Sequence, residues 1–88
     1  MPMLYASIEK VSERKVRTRA GWKVKYDVLA ASGNGSGYRP SYETWSMWHA
    51  SLCDRAAKTG RRVLLGLRET RWGFEIVSAE LEGLETVQ

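Results

Sequence analysis

The sequence predicts a mainly β domain, a small β-barrel with one helix in the order β-β-β-α-β-β, and three observations carry that expectation. Apolar and polar residues alternate in five short runs, one stretch switches to helical spacing, and turn residues separate the runs. At 88 residues only one core can be buried, so residues 1–82 read as a single domain and 83–88 as a short acidic tail.

Apolar residues alternate from Leu4 to Ile8, and Val11 and Val16 then fall on opposite parity, the pattern of one long strand interrupted by a bulge. Ala20-Gly21 supplies the turn, because glycine accepts backbone angles that β-branched residues resist. Strand two, "WKVKYDV", puts Trp22, Val24, Tyr26 and Val28 on one face, expected to be the core, and Lys23, Lys25 and Asp27 on the other.

The glycine-rich "ASGNGSG" marks a flexible connection rather than a phosphate loop, since a strand and not a helix follows it. In "YRPSYETW" Pro40 cannot donate to a ladder, so strand three is short or irregular. From Trp45 to Thr59 the apolar residues Trp45, Trp48, Leu52 and Ala56 fall three or four apart, with Thr44 or Ser46 to cap the start and Gly60 to close the end. Trp45 and Trp48 are expected to plug one end of the barrel. Cys53 is expected to be buried and inert, and His49 to lie at the helix surface or half-buried. "RVLLGL" and "FEIVSAEL", joined by "RETRWG", form a second hairpin as strands four and five.

Hydrophobic residues make up 43% and charged residues 27% of the chain, and no run approaches the ~20 apolar residues of a membrane span, so a soluble, non-membrane domain is expected. The opening "MPMLYASIEK" lacks the pattern of a secretory signal, and a single cysteine forms no internal disulfide. A reducing cytoplasm fits best. No Cys/His cluster has metal spacing, and neither His49 nor Cys53 has a catalytic partner, so no metal, no cofactor and no enzymatic activity are expected.

Charge is unevenly placed. The net charge is +4, but Glu80, Glu82 and Glu85 close the chain without a base, so residues 1–78 carry fourteen bases against seven acids. Six of those bases lie within "RKVRTRAGWKVKYDVL".

The order of three strands, a helix and two strands, with a long bulged first strand, resembles the OB-fold, a five-stranded Greek-key barrel common among oligonucleotide-binding proteins. The resemblance covers about residues 3–82 and is one of architecture. It implies a ligand site on the outer face of strands two and three, framed by the loops joining strands one to two and four to five. The first loop carries Arg17 and Arg19, the second Arg68, Arg71 and Trp72, and Lys23 and Lys25 lie between them.

Cations beside uncovered rings suit single-stranded DNA or RNA: the cations displace counterions from phosphates while the rings stack on bases with little sequence preference. The expected phosphate contacts are Arg17, Arg19, Lys23, Lys25, Arg39, Arg68 and Arg71, and the expected stacking residues are Tyr38, Tyr42 and Trp72. Tyr38 and Tyr42 stack if they face outward; if inward, Arg39 becomes the contact. Trp72 is either exposed for function or folded over the barrel mouth. Glu80, Glu82 and Glu85 either belong to a frayed end or compete with nucleic acid for the basic face. The competing function is a protein-interaction module, an adaptor or inhibitor docking the same patch on an acidic protein, because Arg, Trp and Tyr also dominate protein hot spots.

Overall fold

A computed structural model describes residues 3–31 and 39–83. It contains β1 (Met3–Thr18), β2 (Gly21–Ala30), β3 (Ser41–Thr44), α1 (Met47–Thr59), β4 (Arg62–Thr70) and β5 (Gly73–Leu81). The sheet closes in the order β1-β2-β3-β5-β4, with β4 returning to β1. All neighbours are antiparallel except β3 and β5, which run parallel.

β1 closes the ring by changing partner along its length. Met3–Ser7 pair with β4, and Ile8 to Thr18 pair with β2, with the register slipping between Ile8 and Lys10. The residue inserted there, Glu9, is the bulge that the parity break predicts, and the bend lets one strand serve two neighbours. Pro40 lies just before β3, where its carbonyl still accepts from the Ala30 N–H at 2.9 Å.

The barrel interior is filled from all five strands by Ala6, Ile8, Val28, Ala30, Tyr42, Val63, Leu65, Leu67, Ile76 and Leu81, and α1 adds Leu52, Cys53 and Ala56. The Ser46 hydroxyl caps α1 by accepting from the His49 N–H at 3.2 Å, and Gly60 closes the helix at φ 71°. Thr44, fully buried at the end of β3, is satisfied by accepting from the Ser46 N–H at 3.0 Å. His49 is half-buried, and its Nδ1 has no partner among the described residues.

Two expectations about the core fail here. Trp45 precedes the helix instead of belonging to it, and both Trp45 and Trp48 are exposed, so the barrel end is sealed by the smaller Ala50, Leu52, Cys53 and Ala56. Of the four β2 residues expected to face the core only Val28 is buried, whereas Trp22 and Val24 are exposed and Tyr26 is intermediate. β3 pairs with Tyr26–Leu29 and no further, so the sheet does not continue beside β2 beyond Tyr26 among the described residues, and Trp22 and Val24 stay exposed. Parity identifies a face, but not whether another element covers it.

Leu65 has no exposed surface, so Leu65→Ala is expected to lower the unfolding free energy by about 2–5 kcal/mol, read by urea denaturation. Burial pushes the Cys53 thiol up from 9.0 to about 11. A group whose folded pKa is raised contributes stability below its unfolded value and loses it as pH rises through the folded one. The wild-type protein should therefore lose stability between pH 9 and about 11 relative to Cys53→Ala; parallel pH profiles for the two would contradict the buried thiol.

Candidate nucleic-acid interface

Beyond the barrel, β1 and β2 continue as a free two-stranded arm. Arg14 to Thr18 pair with Lys25 to Gly21, and neither segment pairs with another strand among the described residues. At the strand rise of ~3.3 Å per residue the arm reaches about 15 Å past the last residue paired to β3.

Its turn is fixed by one threonine. The Thr18 hydroxyl accepts from the Ala20 N–H at 3.1 Å and donates to the Gly21 carbonyl at 2.8 Å, with Gly21 at φ 107°. The β4–β5 turn is built the same way: Thr70 accepts from the Trp72 N–H at 3.2 Å and donates to the Gly73 carbonyl at 3.0 Å, with Gly73 at φ 133°. The two turns read "TRAG" and "TRWG", and each lifts an exposed arginine, Arg19 or Arg71, to its tip.

Directly opposed residues of an antiparallel pair share a face. One face of the arm therefore carries Arg17 with Trp22 and Lys15 with Val24, in line with inward-facing Val28; the other carries Arg14 with Lys25 and Val16 with Lys23. The Arg17 guanidinium sits 5.9 Å from the Trp22 ring centre. Lys15, Trp22, Lys23 and Val24 line a depression of about 420 Å³. Between the root of the arm and α1, a second groove is bordered by Glu13, Tyr26, Met47 and Asp54, so carboxylates bound the basic surface on that side.

The arm holds the molecule's whole positive balance. Residues 14–25 contain six cations and no acid, and the remaining chain has eight cations against ten acids. Lys15, Arg17, Arg19 and Lys23 make no ion pair among the described residues.

The outer face of the barrel is charged differently. Asp27, Glu43 and Glu75 stand side by side on β2, β3 and β5, with Arg68 next to Glu75 on β4. Arg14 binds Asp27 at 2.7 Å and Glu43 at 3.4 Å, Lys25 binds Glu43 at 2.5 Å, and Arg68 binds Glu75 at 2.5 Å. The hydrogen bond to Asp27 raises the Arg14 pKa further above its already high range. Lys25 also lies 4.8 Å from the centre of the Trp45 ring.

The expected site residues thus divide. Arg17, Arg19 and Lys23 are on the arm, and Lys25 is at its root, largely enclosed by its partners. Arg68 lies within β4, not in a loop, and is paired. Arg71 and Trp72 are exposed at the β4–β5 turn, with the Arg71 guanidinium 5.4 Å from its neighbour's ring centre. By register that turn lies beyond the Ser41 end of β3 and the arm beyond the Thr44 end, so the two tips are about 30 Å apart along the strands.

Three residues need correction or restriction. Tyr42 is 7% exposed and part of the core, so it cannot stack on a ligand; its inward parity continues that of Thr44. Arg39 is at the surface but paired with Glu9 at 3.2 Å. Tyr38 falls outside the described residues, as does Glu85 of the acidic end. Of that end, Glu82 is bound by Arg62, with one hydrogen bond of 3.0 Å, which lowers its pKa and ties it to the start of β4 rather than to the arm.

Trp22, Val24, Trp45 and Trp48 are the residues that sequence reasoning assigned to the core and the structure places outside. The repeated T-R-x-G signal for the two turns was available in the sequence, and it makes the strands run on to Thr18 and Thr70. All four indoles are 41–76% exposed, so acrylamide should quench the tryptophan fluorescence of the free protein completely. A blue-shifted, unquenched component would instead put one ring inside.

Comparison with models of known protein families, with curated proteins and with solved structures gives no match in any of the three.

Proposed function

We propose that this chain is a non-catalytic, OB-fold-like module that binds single-stranded DNA or RNA with low sequence specificity, using the arm as its main phosphate contact. The observation that carries the reading is the acid-free arm, six cations in twelve residues beside uncovered indoles, on a body whose remaining charge is negative. The strand order, the parallel β3–β5 pair and the helix between β3 and β4 support the OB-fold part of the reading.

In this reading Arg19 and Lys23 draw phosphates to the outward side of the arm, and Trp45 at its root offers a ring to a base. Arg71 and Trp72 form a smaller, second contact, because a strand reaches them only past Asp27, Glu43 and Glu75. Those three carboxylates already occupy Arg14, Lys25 and Arg68, so phosphates gain most from the unpaired cations of the arm.

Titration of labelled single strands against the protein at several salt concentrations tests the proposal. Binding should weaken steeply with salt, Trp45→Ala should cost about 5- to 100-fold, the loss of ~1–3 kcal/mol of stacking, and Trp72→Ala should cost less. Affinity that is indifferent to salt, or absent without an acidic protein partner, would favour the protein-interaction module in its place.

A further inference from the structure

The cations of the arm are distributed over both of its faces. A single strand lying along the outward face meets Lys23, next to the already paired Lys25, and it touches none of Lys15, Arg17, Trp22 and Val24 on the opposite face. Lys15 and Arg17 make no ion pair among the described residues, and Trp22 is 66% exposed. A flat ligand on one side does not account for this arrangement.

A ligand that surrounds the arm does. The major groove of a B-form DNA duplex, about 12 Å wide, admits a two-stranded β-ribbon, and its two walls are phosphate backbones. A ribbon with cations on both faces and none of its residues acidic matches two walls of like charge. The edges of the arm fit the same setting, because no third strand pairs with either side among the described residues. Its reach of about 15 Å past the barrel exceeds the ~8.5 Å depth of the groove, so the barrel stays outside while the turn with Arg19 enters.

We infer that the arm seats in the groove of a duplex that adjoins the bound single strand, so that the preferred ligand is a junction between paired and unpaired nucleic acid. Lys15 and Arg17 contact one backbone and Lys23 the other, and Trp22 packs against the bases exposed near the junction. This rests on the nucleic-acid reading above and specifies the form of ligand that site takes.

The test compares a single strand, a blunt duplex and a duplex carrying a single-stranded tail, each against the wild type, a Lys15→Ala/Arg17→Ala double variant and Lys23→Ala. These side chains are exposed and unpaired, so the variants should fold, which circular dichroism checks. The wild type should bind the tailed duplex at least 10-fold more tightly than either simpler ligand. The double variant should lose that gain while weakening single-strand binding much less. Its slope of log affinity against log salt on the tailed duplex should fall by about 1.8, because two phosphates are no longer neutralised. Lys23→Ala should weaken both.

A tailed duplex bound no better than the single strand overturns the inference and leaves single-strand binding intact. An equal loss on both ligands in the double variant also overturns it, by putting both faces of the arm on one strand. If none of the three ligands binds at low salt, the nucleic-acid reading itself falls.

Discussion

The mismatch between a ten-residue β2 and a four-residue β3 is the constraint on which the other features depend. Where the two pair, from Tyr26 to Leu29, β2 belongs to a closed sheet, with Val28 wholly inside. Where β3 is missing, the same strand, with the same alternation, becomes one half of a free arm. Trp22 and Val24 stay on the inward parity but have no interior to enter. Their exposure therefore follows from strand length, not from any change in local propensity.

An isolated two-stranded ribbon is marginal in water, and six like charges within it add repulsion, screened beyond about 10 Å at moderate salt. Three features oppose that. The Thr18 hydroxyl and Gly21 fix the turn, the Arg17 guanidinium lies against the Trp22 ring, and Arg14 anchors the root to Asp27 and Glu43. The last contact sets the boundary between the two electrostatic regions. Inside it, cations and carboxylates on the outer face neutralise each other; outside it, Lys15, Arg17, Arg19 and Lys23 make no ion pair among the described residues and are available to a ligand. The same lysines and arginines also discourage another chain from adding a strand to the open edges.

Much of the fold could be read from the sequence because the relevant signals are local. The parity break after Ile8, the Ser46 cap, Gly60 at the helix end and the shortness of the strand after Pro40 each act within a few residues, and the structure has all four. Site residues were harder to read because their roles depend on distant partners. Lys25 and Arg68 look like free cations until Glu43 and Glu75, eighteen and seven residues away, are brought beside them by strand pairing. Tyr42 and Trp45, three residues apart, exchange expected roles: the end of β3 turns between them, so the tyrosine fills the core and the tryptophan reaches the surface. No window of alternation contains that turn.

The composition of the core explains why the tryptophans are available at all. Among the described residues the buried hydrophobic set is alanine, valine, leucine, isoleucine, one cysteine and a single aromatic, Tyr42. Four of its positions are alanine, Ala6, Ala30, Ala50 and Ala56, which keeps β1, β2 and α1 close together and leaves little room for an indole. None of Trp22, Trp45, Trp48 and Trp72 therefore belongs to the buried core, although burying a large apolar side chain contributes about 1.5–3 kcal/mol. Exposed rings of that size favour unwanted association, and three of the four have an arginine or lysine within 6 Å of the ring centre. A ring held beside a cation at the surface keeps its face wetted and its position fixed while unbound, and presents an apolar plane and a positive charge together to whatever binds.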